Sequence, residues 1–168
     1  MAQRRGSDRS APPRSGRLSE LGKSLTYKSI ARQSAAEQWT LVREGVPAAF
    51  VQRMADDLGI RASALATHLG IERRSFARKL YADAALSGQD GASALGLARL
   101  VGEFQHMVSE SGDPQASAEL DVPAWTGQWL SNPVPALGGR CPLEFLDNAF
   151  GQGVILQLIG QIRSGAFA

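Results

Sequence analysis

At 168 residues the chain has room for one or two small domains, and its 43% apolar composition is enough for a buried core. A single cysteine excludes an internal disulfide, and no apolar run approaches the roughly 18 residues of a membrane span or the apolar core of a signal peptide. The net charge of +2 and pI near 9.0 are too mild to point to nucleic acid alone, so the distribution of charge decides. These bounds predict a cytoplasmic protein with no membrane partner.

The first stretch, residues 1–17, sets Arg4, Arg5, Arg9, Arg14 and Arg17 against one acid, Asp8, among Ser, Gly and Pro. Nothing in it can bury a core. Two readings stay open: a basic arm adding phosphate contacts or entering a minor groove, and a solubilising tail. Residues 1–40 are therefore expected to form a basic, largely disordered arm and leading segment. Around Ala35–Arg43 a helix is possible, with Trp39, Leu41 and Val42 on its apolar side and Gly45 as its stop. Pro47 suits the first turn of the next helix, whose stripe is Phe50, Val51, Met54 and Leu58, ended by Gly59.

The stretch Ser63–Leu80 is the most informative. Leu65 and Leu69 share a helical face, Ala66 between them admits a second helix, and Gly70 supplies the left-handed residue that ends the first one. Ser63 is the expected N-cap. Ile71 plugs the corner, and Phe76 and Leu80 face inward from a second helix over Arg73–Leu80. Arg73, Arg74, Ser75, Arg78 and Lys79 are left facing out. This is the layout of a DNA-binding helix-turn-helix, in which Arg reads guanine edges and Arg and Lys neutralise phosphates. A helical hairpin with a solvated basic face would share the same spacing. Glu72 stands where a hydroxyl cap is expected, and its carboxylate must point away from phosphates.

A linker over Ser87–Gly91 is followed by a helix at Ser93–Ser109 with Leu97, Leu100, Val101, Phe104 and Val108 on one face and His106 off it. Ser111-Gly112-Asp113-Pro114 marks a boundary, dividing a helix-turn-helix domain at 41–110 from a second domain at 111–168. Pro123 starts a helix carrying Trp125, Trp129 and Leu130. Gly138-Gly139 makes a turn, and Pro142 with Glu144 opens a helix whose Leu143, Leu146, Ala149 and Phe150 face inward. After Gly151 and Gly153, Val154, Ile155, Leu158, Ile159 and Ile162 form an apolar face. No convincing strand is visible, so the fold class is all-α: a helix-turn-helix domain followed by a small helical domain.

Catalysis would require a nucleophile with its base, paired carboxylates or spaced metal ligands, and the sequence offers none of these. Cys141 lies at a helix N-terminus, where a thiol is acidified, but no histidine is near it in sequence and an N-cap role suits it better. The chain is expected to be no enzyme and to hold no cofactor or metal.

Leu41-Val42-Arg43-Glu44-Gly45-Val46-Pro47-Ala48, the Ser63–Leu80 hairpin and above all a C-terminal block resemble the antitoxins of RES–Xre toxin–antitoxin pairs, the Xre/MbcA/ParS group. The block comprises Asn132-Pro133, Pro135-Ala136-Leu137-Gly138-Gly139-Arg140, Pro142-Leu143-Glu144 and Gly165-Ala166-Phe167-Ala168. Cys141 departs from the threonine of that pattern. The resemblance covers about residues 41–168. It implies a homodimer, a C-terminal domain that binds a RES-type toxin consuming NAD⁺, and repression of the pair's own operator DNA. It also implies that the C-terminal region approaches the toxin's substrate cleft. Arg163, Phe167 and the Ala168 carboxylate are on that basis the candidate toxin contacts. A competing class is a dimeric regulator whose C-terminal domain serves only dimerisation or ligand sensing.

Overall fold

The computed structural model describes residue 18, residues 21–110 and residues 120–165. Residues 21–24 are helical, and the order after them is α1 (Tyr27–Arg32), α2 (Ala35–Glu44), β1 (Val46–Pro47), α3 (Ala48–Leu58), α4 (Ala62–His68), α5 (Arg73–Tyr81), β2 (Ala85–Leu86), α6 (Gly88–Glu110), α7 (Val122–Ser131), two 3₁₀ turns (Pro135–Leu137 and Pro142–Phe145) and α8 (Ala149–Ser164). The all-α class expected from the sequence is therefore what the chain adopts.

Residues 21–40, expected as part of a largely disordered leading segment, are instead mostly helical and packed. Thr26 and Ser34 each close a capping box, with Ser29 and Glu37 respectively, and these boxes start α1 and α2. Leu25, Tyr27 and Ile30 are buried. Arg53 on α3 holds this segment by donating from its two terminal nitrogens to the carbonyls of Gly22 and Leu25, at 2.6 and 2.5 Å. The Tyr27 hydroxyl donates to Asp57 at 2.5 Å. Burial, reinforced by that carboxylate, pushes the Tyr27 pKa far above its ordinary value. The arm over residues 1–17 lies outside the described residues.

Strand pairing is also present, where the sequence shows none. Val46 opposes Leu86 and Pro47 opposes Ala85 in an antiparallel pair. Two residues per strand are too few for any alternation to register. The pair is enabled by Gly45, whose φ is +102° and whose Cβ, if present, would lie 2.6 Å from that of Ala85.

Helix α6 is the axis of the fold. It has 23 residues, about 35 Å at 1.5 Å per residue, and begins five residues before the expected Ser93. Its early glycines read as a linker, yet Gly91 is helical and buried, and β2 passes so close that a Cβ there would meet the Leu86 carbonyl at 3.0 Å. Leu97, Ala98, Leu100, Val101 and Phe104 are wholly buried along α6. Trp125 and Trp129 of α7 stand edge-on to Phe104, with ring centroids 5.2 and 5.1 Å away. One continuous core runs from Leu25 through the helix-turn-helix to Ile159.

The C-terminal part departs from the expected helix at Pro142–Phe150. Pro142–Phe145 is a 3₁₀ turn, and α8 starts only at Ala149, with the Asn148 side chain accepting from the Gly151 amide at 2.9 Å. The break therefore lies before Gly151 rather than at Gly151–Gly153. Gly151 allows close approach instead: a Cβ there would sit 2.1 Å from the Phe145 carbonyl oxygen. This frame turns Phe150 outward, 84% exposed, against the expectation that it faces the core. Ile162 is likewise exposed.

Candidate DNA-reading and toxin-binding surfaces

The helix-turn-helix is α4 and α5. Leu65, Ala66, Leu69, Ile71 and Phe76 are buried between them and α3. Gly70 makes the turn at φ +74°. The first helix starts at Ala62, one residue earlier than expected. Arg61 is at its N-cap without a side-chain bond, and Ser63 lies within the first turn.

Glu72 caps α5 with its own carboxylate. It accepts from the amides of Arg74 at 2.9 Å and Ser75 at 2.6 Å. Those two N–H bonds hold its carboxyl below the usual range. The anion is thus turned back onto its own helix.

Of the five outward residues named from the sequence, Arg74 and Arg78 are exposed and lie four residues apart on one stripe. Arg73 is exposed too, but its Nε donates to Thr67 Oγ1 on α4 at 2.9 Å. Ser75 is half-buried. Lys79 turns to α6, where its ammonium pairs with Asp90 at 3.4 Å. Ala77 and Tyr81 complete the exposed surface of α5, and Tyr81 is 96% exposed. Tyr81 is missed in the sequence because it falls one residue beyond the expected end of the helix. Its place seven residues after Arg74 is the signal that identifies it.

At the other end of the molecule, Val134 and Arg140 form an antiparallel bridge around the glycine turn, with φ +68° at Gly138 and +79° at Gly139. Arg140 pairs with Glu144 at 3.6 Å, and Glu144 accepts from the Cys141 amide at 3.0 Å. The Cys141 thiol donates to the Ser131 carbonyl at 3.3 Å. Cys141 therefore stands at the N-cap position without a thiol cap bond: the Glu144 amide donates to its backbone carbonyl at 3.0 Å, and the cap is the Glu144 carboxylate on the Cys141 amide. Arg163 is exposed on the last turn of α8, while Phe167 and Ala168 lie outside the described residues. His106 is exposed and pairs with Glu110 at 3.3 Å. Among the described residues no three His, Cys, Asp or Glu side chains converge as a metal ion would require, and no helix is long and apolar enough to cross a membrane.

The two ends touch. A Cβ on Gly70, in the helix-turn-helix corner, would meet the Asp147 carbonyl oxygen at 3.1 Å. Ser93 Oγ also donates to that oxygen, at 3.5 Å. The helix-turn-helix corner and the segment leading into α8 are therefore packed directly against each other.

Comparison with known proteins assigns both ends. Residues 39–99 match the family model described as the antitoxin Xre-like helix-turn-helix domain. Residues 107–165 match the antitoxin Xre/MbcA/ParS C-terminal toxin-binding domain. A protein of Sphingobium sp. (strain YBL2) described as "Prs ADP-ribosylating antitoxin" is 35% identical over 144 residues, covering 86% of this chain and 89% of that protein. The chain belongs to the Xre/MbcA/ParS antitoxin family, with a helix-turn-helix domain followed by a toxin-binding domain.

Proposed function

We propose that this chain neutralises a RES-type toxin that consumes NAD⁺ and represses the operator of its own toxin–antitoxin pair. The observation that supports this best is the pairing, on one core, of a toxin-binding segment over 107–165 with a hairpin whose exposed stripe carries Arg74 and Arg78. The working division is 41–110 for operator DNA and 111–168 for the toxin. The chain acts as a cytoplasmic homodimer and has no catalytic role of its own. The relative's description couples it to ADP-ribosylation of Prs, a transfer whose ADP-ribose comes from NAD⁺. A toxin consuming NAD⁺ is compatible with that chemistry whether its acceptor is a protein or water.

Arg73, Arg74, Ser75, Arg78 and Lys79 remain the operator-contact set of this reading, with Arg74 and Arg78 leading it because both are exposed on one stripe of α5. Arg163, Phe167 and Ala168 are the toxin contacts, acting as a narrow tip that excludes NAD⁺ from the toxin's cleft.

The test is coexpression with the protein encoded next door. The reading requires copurification and suppression of NAD⁺ loss in a purified depletion assay. An antitoxin-length chain that binds its promoter but never captures the neighbour would instead be a regulator whose C-terminal domain serves dimerisation or ligand sensing.

A further inference from the structure

We propose that two copies of this chain pair through α2, each inserting its Trp39 into a groove beside α2 of the other. This rests on the homodimer of the proposed function and assigns that dimer an interface.

Helix α2 is poorly covered. Of its ten residues only Leu41 is buried. Trp39 is 63% exposed, with the Arg43 guanidinium carbon 5.3 Å from its ring centroid. Alongside runs a groove of about 480 Å³ between α2 and residues 21–33. Leu21, Leu25 and Leu41 give it an apolar floor, Glu37 and Glu44 stand at its rim, and Gln33 is in its wall. Trp39 is a surface neighbour of Ala36, three residues before it, which also lines the groove. A knob and a hole thus lie side by side on one helix. A two-fold interface needs that arrangement, because a single patch must supply both halves of each contact.

The chemistry of the two halves is complementary. The knob brings a cation, Arg43, and an indole N–H that can only donate. The hole brings the Glu37 and Glu44 carboxylates. It also brings the Gln33 side-chain oxygen, which is buried and accepts no hydrogen bond. A turn of the Gln33 amide toward the incoming indole would satisfy both groups. Glu37 already accepts from the Ser34 amide and hydroxyl, each at 2.7 Å, which leaves Glu44 as the freer partner for Arg43 of the second copy.

Other occupants fit less well. The segment matched as toxin-binding covers 107–165, away from this groove. The basic arm over residues 1–17 holds no aromatic, Leu, Ile or Val side chain to fill an apolar floor.

The experiment is sedimentation equilibrium on the full chain across a micromolar series, with Trp39→Glu, Arg43→Glu and Glu44→Arg. Melting temperatures serve as the control for folding. Trp39→Glu should weaken dimerisation by about tenfold or more, the effect of losing a buried anchor, with an unchanged melting temperature for the monomer. Arg43→Glu and Glu44→Arg should each weaken it, and an equimolar mixture of the two should pair again because both crossed contacts are then restored. A Trp39→Glu chain that dimerises like wild type, or a mixture that stays monomeric, overturns this interface and leaves the homodimer standing. A wild-type chain that is monomeric throughout overturns both. Loss of toxin capture without loss of dimer would give the groove to the toxin and overturn the assignment.

Discussion

The side-chain amide of Gln152 on α8 occupies the space that Gly96 leaves open on α6. A Cβ at residue 96 would lie 1.7 Å from Gln152 Oε1. The amide nitrogen meanwhile donates to the carbonyls of Ser93 at 3.0 Å and Leu146 at 2.7 Å. One buried glutamine thus ties α8 and the 3₁₀ turn before it to the central helix.

Gly96→Ala should therefore destabilise the fold by ~1–3 kcal/mol through overpacking, even though alanine favours a helix over glycine. On a Gln152→Ala background the added methyl should cost clearly less, since its obstacle is gone. Urea denaturation of the four chains in the cycle measures this. A Gly96→Ala chain as stable as wild type would show that Gln152 has another place to go.

Arg74 and Arg78 should dominate operator affinity. If Arg74 reads a guanine, Arg74→Ala should cost ~1–3 kcal/mol and relax specificity at one base pair, whereas a phosphate contact would lower the salt slope by about one without changing sequence preference. A dimer should require half-sites about one helical turn apart, ~34 Å. Lys79→Ala should matter less because the Asp90 pair already holds that ammonium. Titrations of labelled operator at several salt concentrations distinguish these cases, and undiminished affinity in an Arg73/Arg74/Arg78 triple alanine chain would refute the assignment.

Glu72 makes the recognition helix sensitive to acid. Its carboxyl is held below the ordinary value of 4.5 by the Arg74 and Ser75 amides. A lowered native pKa means that the stabilisation is present above the unfolded value and is lost as pH falls through the native one. The difference in stability between wild type and Glu72→Gln should be largest near neutrality and shrink below about pH 4.5. Paired thermal melts across that range test it, and a difference that does not change with pH would mean the carboxylate charge is irrelevant to the cap.

Truncation after Ser164 should release NAD⁺ consumption by the toxin while leaving the fold and operator binding intact. Gly165 closes α8 in the left-handed conformation at φ +69°, so a chain ending at Ser164 loses no buried side chain among the described residues. Full silencing by the truncated chain in a purified assay would place neutralisation elsewhere on the C-terminal domain.

What was legible in the sequence was short-range. Leu65, Leu69, Gly70, Ile71 and Phe76 encode the hairpin within a dozen positions, and the structure buries the four apolar ones with Gly70 at the turn. The C-terminal block was legible as a family pattern. Long-range pairings were not, because nothing local announces them. Arg53 reads as a helix-surface cation, yet its guanidinium grips two carbonyls 31 and 28 residues away. Phe150 reads as core by periodicity, but Asn148 sets the start of α8 and Gly151 must face Phe145, which rotates residue 150 into solvent. Side-chain exposure on α5 narrows the operator set to Arg74 and Arg78 first, because Ser75 is half-buried and Lys79 pairs with Asp90.

The seam between the part up to α6 and the elements after it has a consequence for recombination. Gly127 admits the Leu58 carbonyl to within 1.9 Å of where its Cβ would be, as Gly70 faces Asp147 and Gly96 faces Gln152. Each pair places a residue from the DNA-reading part against one from the toxin-binding part. A chimera joined between residues 110 and 120 would inherit one member of each pair from each parent. Toxin specificity can therefore be exchanged between relatives only if these three junctions travel with it, and partner choice and operator choice are coupled in inheritance even where no ligand couples them in solution.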